Sequence, residues 1–183
     1  MAEYKIIALF GKSGAGKDTL IKELCLKEEL NLNKIIRCTT REPRENESEG
    51  NPYHFITPVT FLEEVMNFNM LEANEFNKWF YGTNIADLKK DSVNIGAFDV
   101  DAVSNLMEDN RLEVIPIYIQ TSDKIRLIRQ LNRETNPDCT EICRRYLSDT
   151  EDYEDIDFNY LNVNGDNNLD NCIQDLANII KRI

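Results

Sequence analysis

The chain has 183 residues, 42% of them apolar, and carries 33 acidic against 21 basic side chains, a formal net charge of −12. That length suits one domain able to bury a core, which excludes a disordered acidic tail. The charge excludes nucleic acid and anionic lipid as bulk partners, so an anionic ligand must be held by a local cluster of Arg and Lys.

In chain order, the apolar run Lys5–Phe10 (KIIALF) stops at Gly11 and predicts a buried strand. Residues 17–29 then set Leu20, Ile21, Leu24 and Cys25 on one helical face. Between strand and helix, Gly11-Lys12-Ser13-Gly14-Ala15-Gly16-Lys17 fits the pattern G-x-x-x-x-G-K. Its glycines let backbone N–H groups wrap a phosphate, the helix N-terminus adds favourable dipole charge, and Lys17 would reach the β- and γ-phosphates. Asp18 stands where the pattern has Ser or Thr, with Thr19 after it. A carboxylate is a good ligand for a hard cation, so Asp18 either serves Mg²⁺ or caps the helix.

Ile35–Cys38 reads as a second strand and residues 41–52 as a polar loop. Tyr53–Ile56, Met70–Ala73 and Trp79–Tyr81 are short β-like pieces around a helix near 60–68. Val93–Val100 and Val114–Ile119 are further strands. Residues 123–133 and 139–153 are expected to be helical, Tyr160–Val163 a last strand, and 168–182 an amphipathic helix carrying Leu169, Cys172, Ile173, Leu176, Ala177, Ile179 and Ile180. Strands alternating with helices predict a mainly parallel α/β sheet. There is no apolar run of about 18 residues to span a membrane. The start lacks a basic segment and a small-residue cleavage site, so the expectation is a cytoplasmic protein. Five cysteines, an odd number, do not suggest a disulfide framework. Cys139 and Cys143 read as ordinary thiols rather than zinc ligands.

The positive charge is segregated. Arg37, Arg41 and Arg44 form one patch, and Lys124, Arg126, Arg129, Arg133, Arg144 and Arg145 a second. Residues 147–180 hold nine acidic side chains and no Lys or Arg. Arginine offers phosphate a planar, multi-donor partner. For Arg126 the better expectation is a solvated helix face. His54, the only histidine, reads as a structural strand residue.

Together these blocks resemble the guanylate kinase family of P-loop nucleoside monophosphate kinases, in the family's order and over nearly the whole chain. Gly11–Leu20 is similar to its phosphate loop. Thr39-Thr40-Arg41-Glu42-Pro43-Arg44, with Glu47, Gly50, Tyr53 and Phe55, matches its signature TTRxPRxxExxGxxYxF. Leu71-Glu72-Ala73 with Tyr81-Gly82-Thr83, Phe98-Asp99-Val100-Asp101, the arginines Arg129, Arg133 and Arg145, and Val163-Asn164 match later blocks.

The resemblance implies a P-loop NTPase α/β fold: a central parallel sheet flanked by helices, a small α/β nucleoside-monophosphate-binding lobe and a helical lid. The single domain 1–183 would divide into a core (about 1–36, 93–122 and 158–183), the small lobe (about 37–92) and the lid (about 123–157). It implies ATP-dependent phosphorylation of GMP or dGMP with Mg²⁺, nucleotides as the partners, and a monomer or homodimer. ATP would be held by Gly11, Ser13, Gly14, Ala15, Gly16, Lys17, Asp18, Thr19, Arg129 and Asn164. Arg37, Arg41, Arg44, Tyr53 and Tyr81 would meet GMP. Glu72 and Asp101 would accept from the guanine N1–H and amino group, and Thr83 would bond O6; carboxylates are acceptor-only and guanine offers adjacent donors. Lys17, Arg41, Arg133 and Arg145 would be catalytic, and Asp18 and Asp99 would serve the metal.

The sequence departs from the family at several points. Arg37 stands where the family has Ser, Asn46 where it has Gly, Pro52 where it has Asp, and Ala102-Val103 where it has Gln-Gly. Arg37 and Asp18 motivate an alternative: a P-loop kinase for another, even modified, deoxynucleotide. A guanylate-kinase-like binding module without activity is a third reading; the intact loop and arginines speak against it.

Overall fold

The computed structural model describes residues 2–43, 47–76, 78–133 and 135–183. The strands are β1 (Tyr4–Phe10), β2 (Leu32–Lys34), β3 (Cys38–Thr39), β4 (His54–Phe55), β5 (Met70–Phe76), β6 (Trp79–Asn84), β7 (Val93–Phe98), β8 (Leu112–Gln120) and β9 (Leu161–Asn164). The helices are α1 (Lys17–Cys25), α2 (Pro58–Met66), α3 (Val100–Glu108), α4 (Asp123–Leu131), α5 (Cys139–Asp152) and α6 (Leu169–Ile180).

β1 is the middle strand of a five-stranded parallel sheet of order β2-β7-β1-β8-β9. Its apolar run is unbroken because both of its faces are covered. Ile7 and Leu9 join a core built with Leu20, Ile21 and Leu24 of α1 and Cys172, Ile173, Leu176, Ala177 and Ile180 of α6. Ile6, Ala8 and Phe10 join a second core with Ala102, Val103 and Leu106 of α3. The result is a central parallel sheet flanked by helices.

A second, four-stranded sheet has the order β4-β3-β6-β5, with β5 and β6 an antiparallel pair. α2 lies on it: Phe61, 1% exposed, stacks on Phe80 with ring centroids 5.3 Å apart. Thr57 starts that helix by accepting from the Thr60 N–H at 3.1 Å, with Pro58 in the first turn. α4 and α5 pack against each other. Among the described residues no helix is long and apolar enough to cross a membrane.

The structure corrects three expectations. Ile35–Cys38 is not one strand. β2 ends at Lys34 in the large sheet and β3 begins at Cys38 in the small one, so the apolar run is the crossing between sheets. Ile35 is buried there because it enters the second core. The strand expected over Val93–Val100 stops at Phe98, and a helix missing from the sequence reading, α3, follows. Its start is set by Asp99, whose Oδ1 accepts from the Ala102 N–H at 2.8 Å. Finally, Arg126 is 1% exposed and not on a solvated face.

Candidate active site

The turn from β1 into α1 is a loop that only glycine can follow at two points. Gly14 has φ +81°, and a Cβ there would stand 2.7 Å from the Arg126 carbonyl oxygen; Gly16 has φ +100°. Lys17 opens the helix and its Nζ folds back to donate to the Gly11 carbonyl. Burial lowers the Lys17 pKa, against the opposing charges of Asp18, Asp149 and Asp99. Parallel pairing of Phe10 with Phe98 brings Asp99 beside this loop. Asp18 and Thr19 are exposed in the first turn of α1.

Across the cleft the small sheet carries two arginine centres. In the first, Arg37 Nε and a terminal nitrogen donate to the two Glu72 oxygens at 3.0 and 2.9 Å, and Thr83 Oγ1 donates to Glu72 Oε1 at 2.7 Å. The Arg37 guanidinium also lies 5.5 Å from the Phe98 ring centroid and 3.9 Å from an Asp99 oxygen. Burial works against charge on Arg37, but Glu72 and Asp99 outweigh it and raise its pKa. Burial likewise pushes Glu72 up, against the pull of Arg37 and Thr83. The two-pronged geometry decides the state: an ion pair, with Glu72 as the carboxylate.

In the second centre, Arg41 grips Glu47 at 2.8 and 3.1 Å. Its guanidinium lies 5.7 Å from the ring centroids of both Tyr53 and Phe55, and the Tyr53 and Tyr81 rings meet edge to face at 5.7 Å. Burial raises the Tyr53 pKa, and the charges it feels include Arg37, Arg41 and Asp18. Arg44 falls outside the described residues.

The remaining expected residues are placed as follows. Asp101 is exposed in the first turn of α3, its pKa raised by burial and by Asp99 and Asp152. Arg129 donates to the Ala15 carbonyl at 3.1 Å and to the Gly165 carbonyl at 3.1 Å. Asn164 ends β9 beside a cleft of about 500 Å³ lined by Gln120, Thr121, Ser122, Asn162, Asn164 and Asp166. That cleft opens beyond the carboxyl ends of β8 and β9, where open α/β sheets hold ligands. Arg145 donates to Glu141 at 2.7 Å and Arg133 is exposed; among the described residues neither touches Lys17 or Arg41.

Four residues next to the loop escaped the sequence reading. Arg126 donates to the Ser13 carbonyl and to Asp149, both at 3.0 Å. Asp149 accepts from the Ser13 N–H at 2.8 Å. Tyr153 accepts from the Gly11 N–H at 3.2 Å, and Gln130 donates to the Ser13 carbonyl at 3.3 Å. The signal available was the four-residue spacing of Arg145, Asp149 and Tyr153, which puts them on one helix face. His54 bonds Glu49 at 2.6 Å and Asp87 at 3.2 Å, away from these groups.

Mg²⁺ suits the donor set here. It takes one or two carboxylates, several waters and the substrate's phosphates rather than an all-protein cage. Asp18 and Asp99 are exposed carboxylates that both act on Lys17, and no group of three or more candidate ligands exists among the described residues.

A family model described as guanylate kinase matches residues 3–183. The guanylate kinase of Malacoplasma penetrans is 34% identical over 160 residues, covering 83% of this chain and 73% of that protein. The guanylate kinase of Campylobacter jejuni (strain RM1221) is 28% identical over 164 residues, covering 87% of this chain and 80% of that protein. Among solved structures, the guanylate kinase of Anaplasma phagocytophilum superposes with a TM-score of 0.73 at 18% identity, over 100% of this chain and 87% of its own, a likeness of fold.

Proposed function

The chain belongs to the guanylate kinase family, and from that premise we propose that it transfers a phosphoryl group from ATP to GMP or dGMP. It is a phosphotransferase. The observation that carries the reading is the approach of Arg37, beside the small sheet, to 3.9 Å from an oxygen of Asp99, which the Phe10–Phe98 pairing sets next to the glycine loop. One cleft therefore has an anion-binding wall on each side.

In this reading the glycine loop, Gly11 through Thr19, is a Walker A phosphate loop, and ATP lies along it with Arg129 and Asn164. Residues 37–92 act as the acceptor lobe and 123–157 as the lid. Arg41, Arg44, Tyr53 and Tyr81 hold the acceptor phosphate; the Arg41 fork now closed on Glu47 is the geometry that a phosphate takes bidentately. Glu72, Thr83, Asp101 and Arg37 face the base. Glu72 already serves three donors, so Arg37 meets the base as part of one unit with it, donating to an acceptor such as O6 or N7.

Lys17 and Arg41, with Arg133 and Arg145 brought in by lid closure, offset the charge that spreads over the transferring group. No covalent intermediate is needed, because positioning and charge stabilisation suffice. Asp18 and Asp99 would hold Mg²⁺, directly or through water, and the bound ion would supply neutralisation of the triphosphate oxygens. Closure excludes water and so suppresses ATP hydrolysis. The same reading makes the protein cytoplasmic, a monomer or homodimer.

The test is ADP release on adding GMP to enzyme, ATP and Mg²⁺. Release that needs GMP supports the reading; ADP formation indifferent to GMP opposes it. The Arg37–Glu72 fork favours one second reading, a kinase for a different nucleoside monophosphate. Turnover with that nucleotide in place of GMP is its signature.

A further inference from the structure

Every polar group of Ser13 is taken by the helical pair α4 and α5. Its N–H donates to Asp149 Oδ2 at 2.8 Å and its hydroxyl to Asp149 Oδ1 at 3.2 Å. Its carbonyl accepts from Arg126 at 3.0 Å and from Gln130 at 3.3 Å. Arg126 also donates to Asp149 Oδ2 at 3.0 Å, which closes the ring of contacts. Two residues earlier, the Gly11 N–H is held by Tyr153. By contrast, among the described residues no side chain or carbonyl accepts from the N–H groups of Gly14, Gly16, Lys17 or Asp18. The loop is divided into a clamped first half and an open second half.

We propose that Asp149 is a positioning residue for the phosphate loop: paired with Arg126, it fixes the turn at Ser13 so that the open N–H groups of Gly14, Gly16, Lys17 and Asp18 stand ready for the nucleotide's phosphates. The proposal rests on the reading of this loop as the ATP site. Asp149 is not itself a competitor for that site. Its oxygens bind Ser13 and leave the N–H groups of Gly14, Gly16, Lys17 and Asp18 free, and Arg126 offsets its charge.

The energetics argue for such a role. Asp149 is 8% and Arg126 1% exposed, and the Arg126 Nε is buried without a partner among the described residues. Apolar side chains of similar volume generally replace a buried ion pair without loss of stability. What the ion pair adds is directional: it holds a donor, a hydroxyl and an acceptor of one loop residue at once. A loop ordered before the nucleotide arrives spares the binding step that ordering cost. Gly14 belongs to the same device, since the α4 backbone at Arg126 comes too close for any Cβ there.

The experiment compares wild type, Asp149→Asn and the double variant R126L/D149A by thermal melting and by calorimetric titration with MgATP and, separately, GMP. The double variant removes both charges together and so strands neither. The expected result is a folded double variant with GMP affinity unchanged and ATP affinity weaker by about tenfold or more. D149N, which keeps the shape and loses the charge, is expected to weaken ATP selectively as well. Wild-type ATP affinity in both variants, or an equal loss for ATP and GMP, overturns the proposal. Failure of the wild-type protein to bind MgATP would instead overturn the reading of the loop itself, so the two failures are distinct.

Discussion

Arg37 closes on Glu72 with two donors, at 3.0 and 2.9 Å. The Glu72 side chain is 0% and that of Arg37 12% exposed, so neither charge has water as a substitute partner. Breaking a buried pair from one side costs about 3–5 kcal/mol. Glu72→Gln should therefore lower unfolding free energy by about that amount in urea titrations. It should also raise KM for GMP more than KM for ATP, because an amide brings a donor where guanine presents donors. An equal rise in both would place Glu72 in the scaffold alone.

Among the described residues the Lys17 Nζ makes one hydrogen bond, to the Gly11 carbonyl of its own loop. Lys17→Ala should leave the melting temperature within a few degrees while kcat falls by about 10²–10³, the scale of losing one preorganised charge-stabilising group. Steady-state kinetics beside circular dichroism check this. A kcat near that of the wild type would remove Lys17 from the phosphoryl-transfer step.

Much of this was legible from the residues, and the boundary of legibility is physical. The glycine loop declares itself because strand, turn and helix periods change within a few residues, around glycines with positive φ. The Arg41 cluster likewise sits in a short, dense motif. The Asp149–Arg126 clamp did not declare itself, because an ion pair between two helices is a nonlocal match between residues 23 apart in sequence. Arg126 looked solvated because charge on an amphipathic helix normally is. α3 was hidden because the β7 run seemed to pass through Asp99, whose side chain caps the helix. The Ile35–Cys38 run misled for a related reason: burial in a crossing between two sheets looks the same as burial in a strand.

Gly14→Ala should impair nucleotide binding more than folding. The residue must hold φ +81°, and its Cβ would press on the Arg126 carbonyl at 2.7 Å. A left-handed non-glycine residue costs about 1–2 kcal/mol, before the clash is added. Relief comes from separating the loop from α4, so calorimetry should show ATP affinity falling while GMP affinity holds. Unchanged ATP affinity would show that the loop tolerates the shift.

The His54 contacts give a pH dependence of stability. Burial lowers its pKa, but hydrogen bonds and charges from Glu49 and Asp87 outweigh that, so the net value lies above the ordinary 6.5. A raised folded value means that the stabilisation is complete below the unfolded pKa and is lost as pH rises through the folded one. The groups facing His54 are Glu49 and Asp87, which must remain ionised. The melting-temperature gap between wild type and His54→Gln should therefore be widest near pH 5–6 and narrow towards pH 8. A gap that widens on the alkaline side would reverse the assignment.

In the proposed function one cleft joins an ATP loop to a guanine-reading acceptor site. The most direct measurement is the kcat/KM for each of GMP, dGMP, AMP, CMP and UMP under saturating ATP and Mg²⁺, followed by ADP release. The two guanine nucleotides should exceed the others by at least about two orders of magnitude, as a site with hydrogen-bonding groups matched to one base does. Turnover confined to an adenine or pyrimidine nucleotide would contradict it.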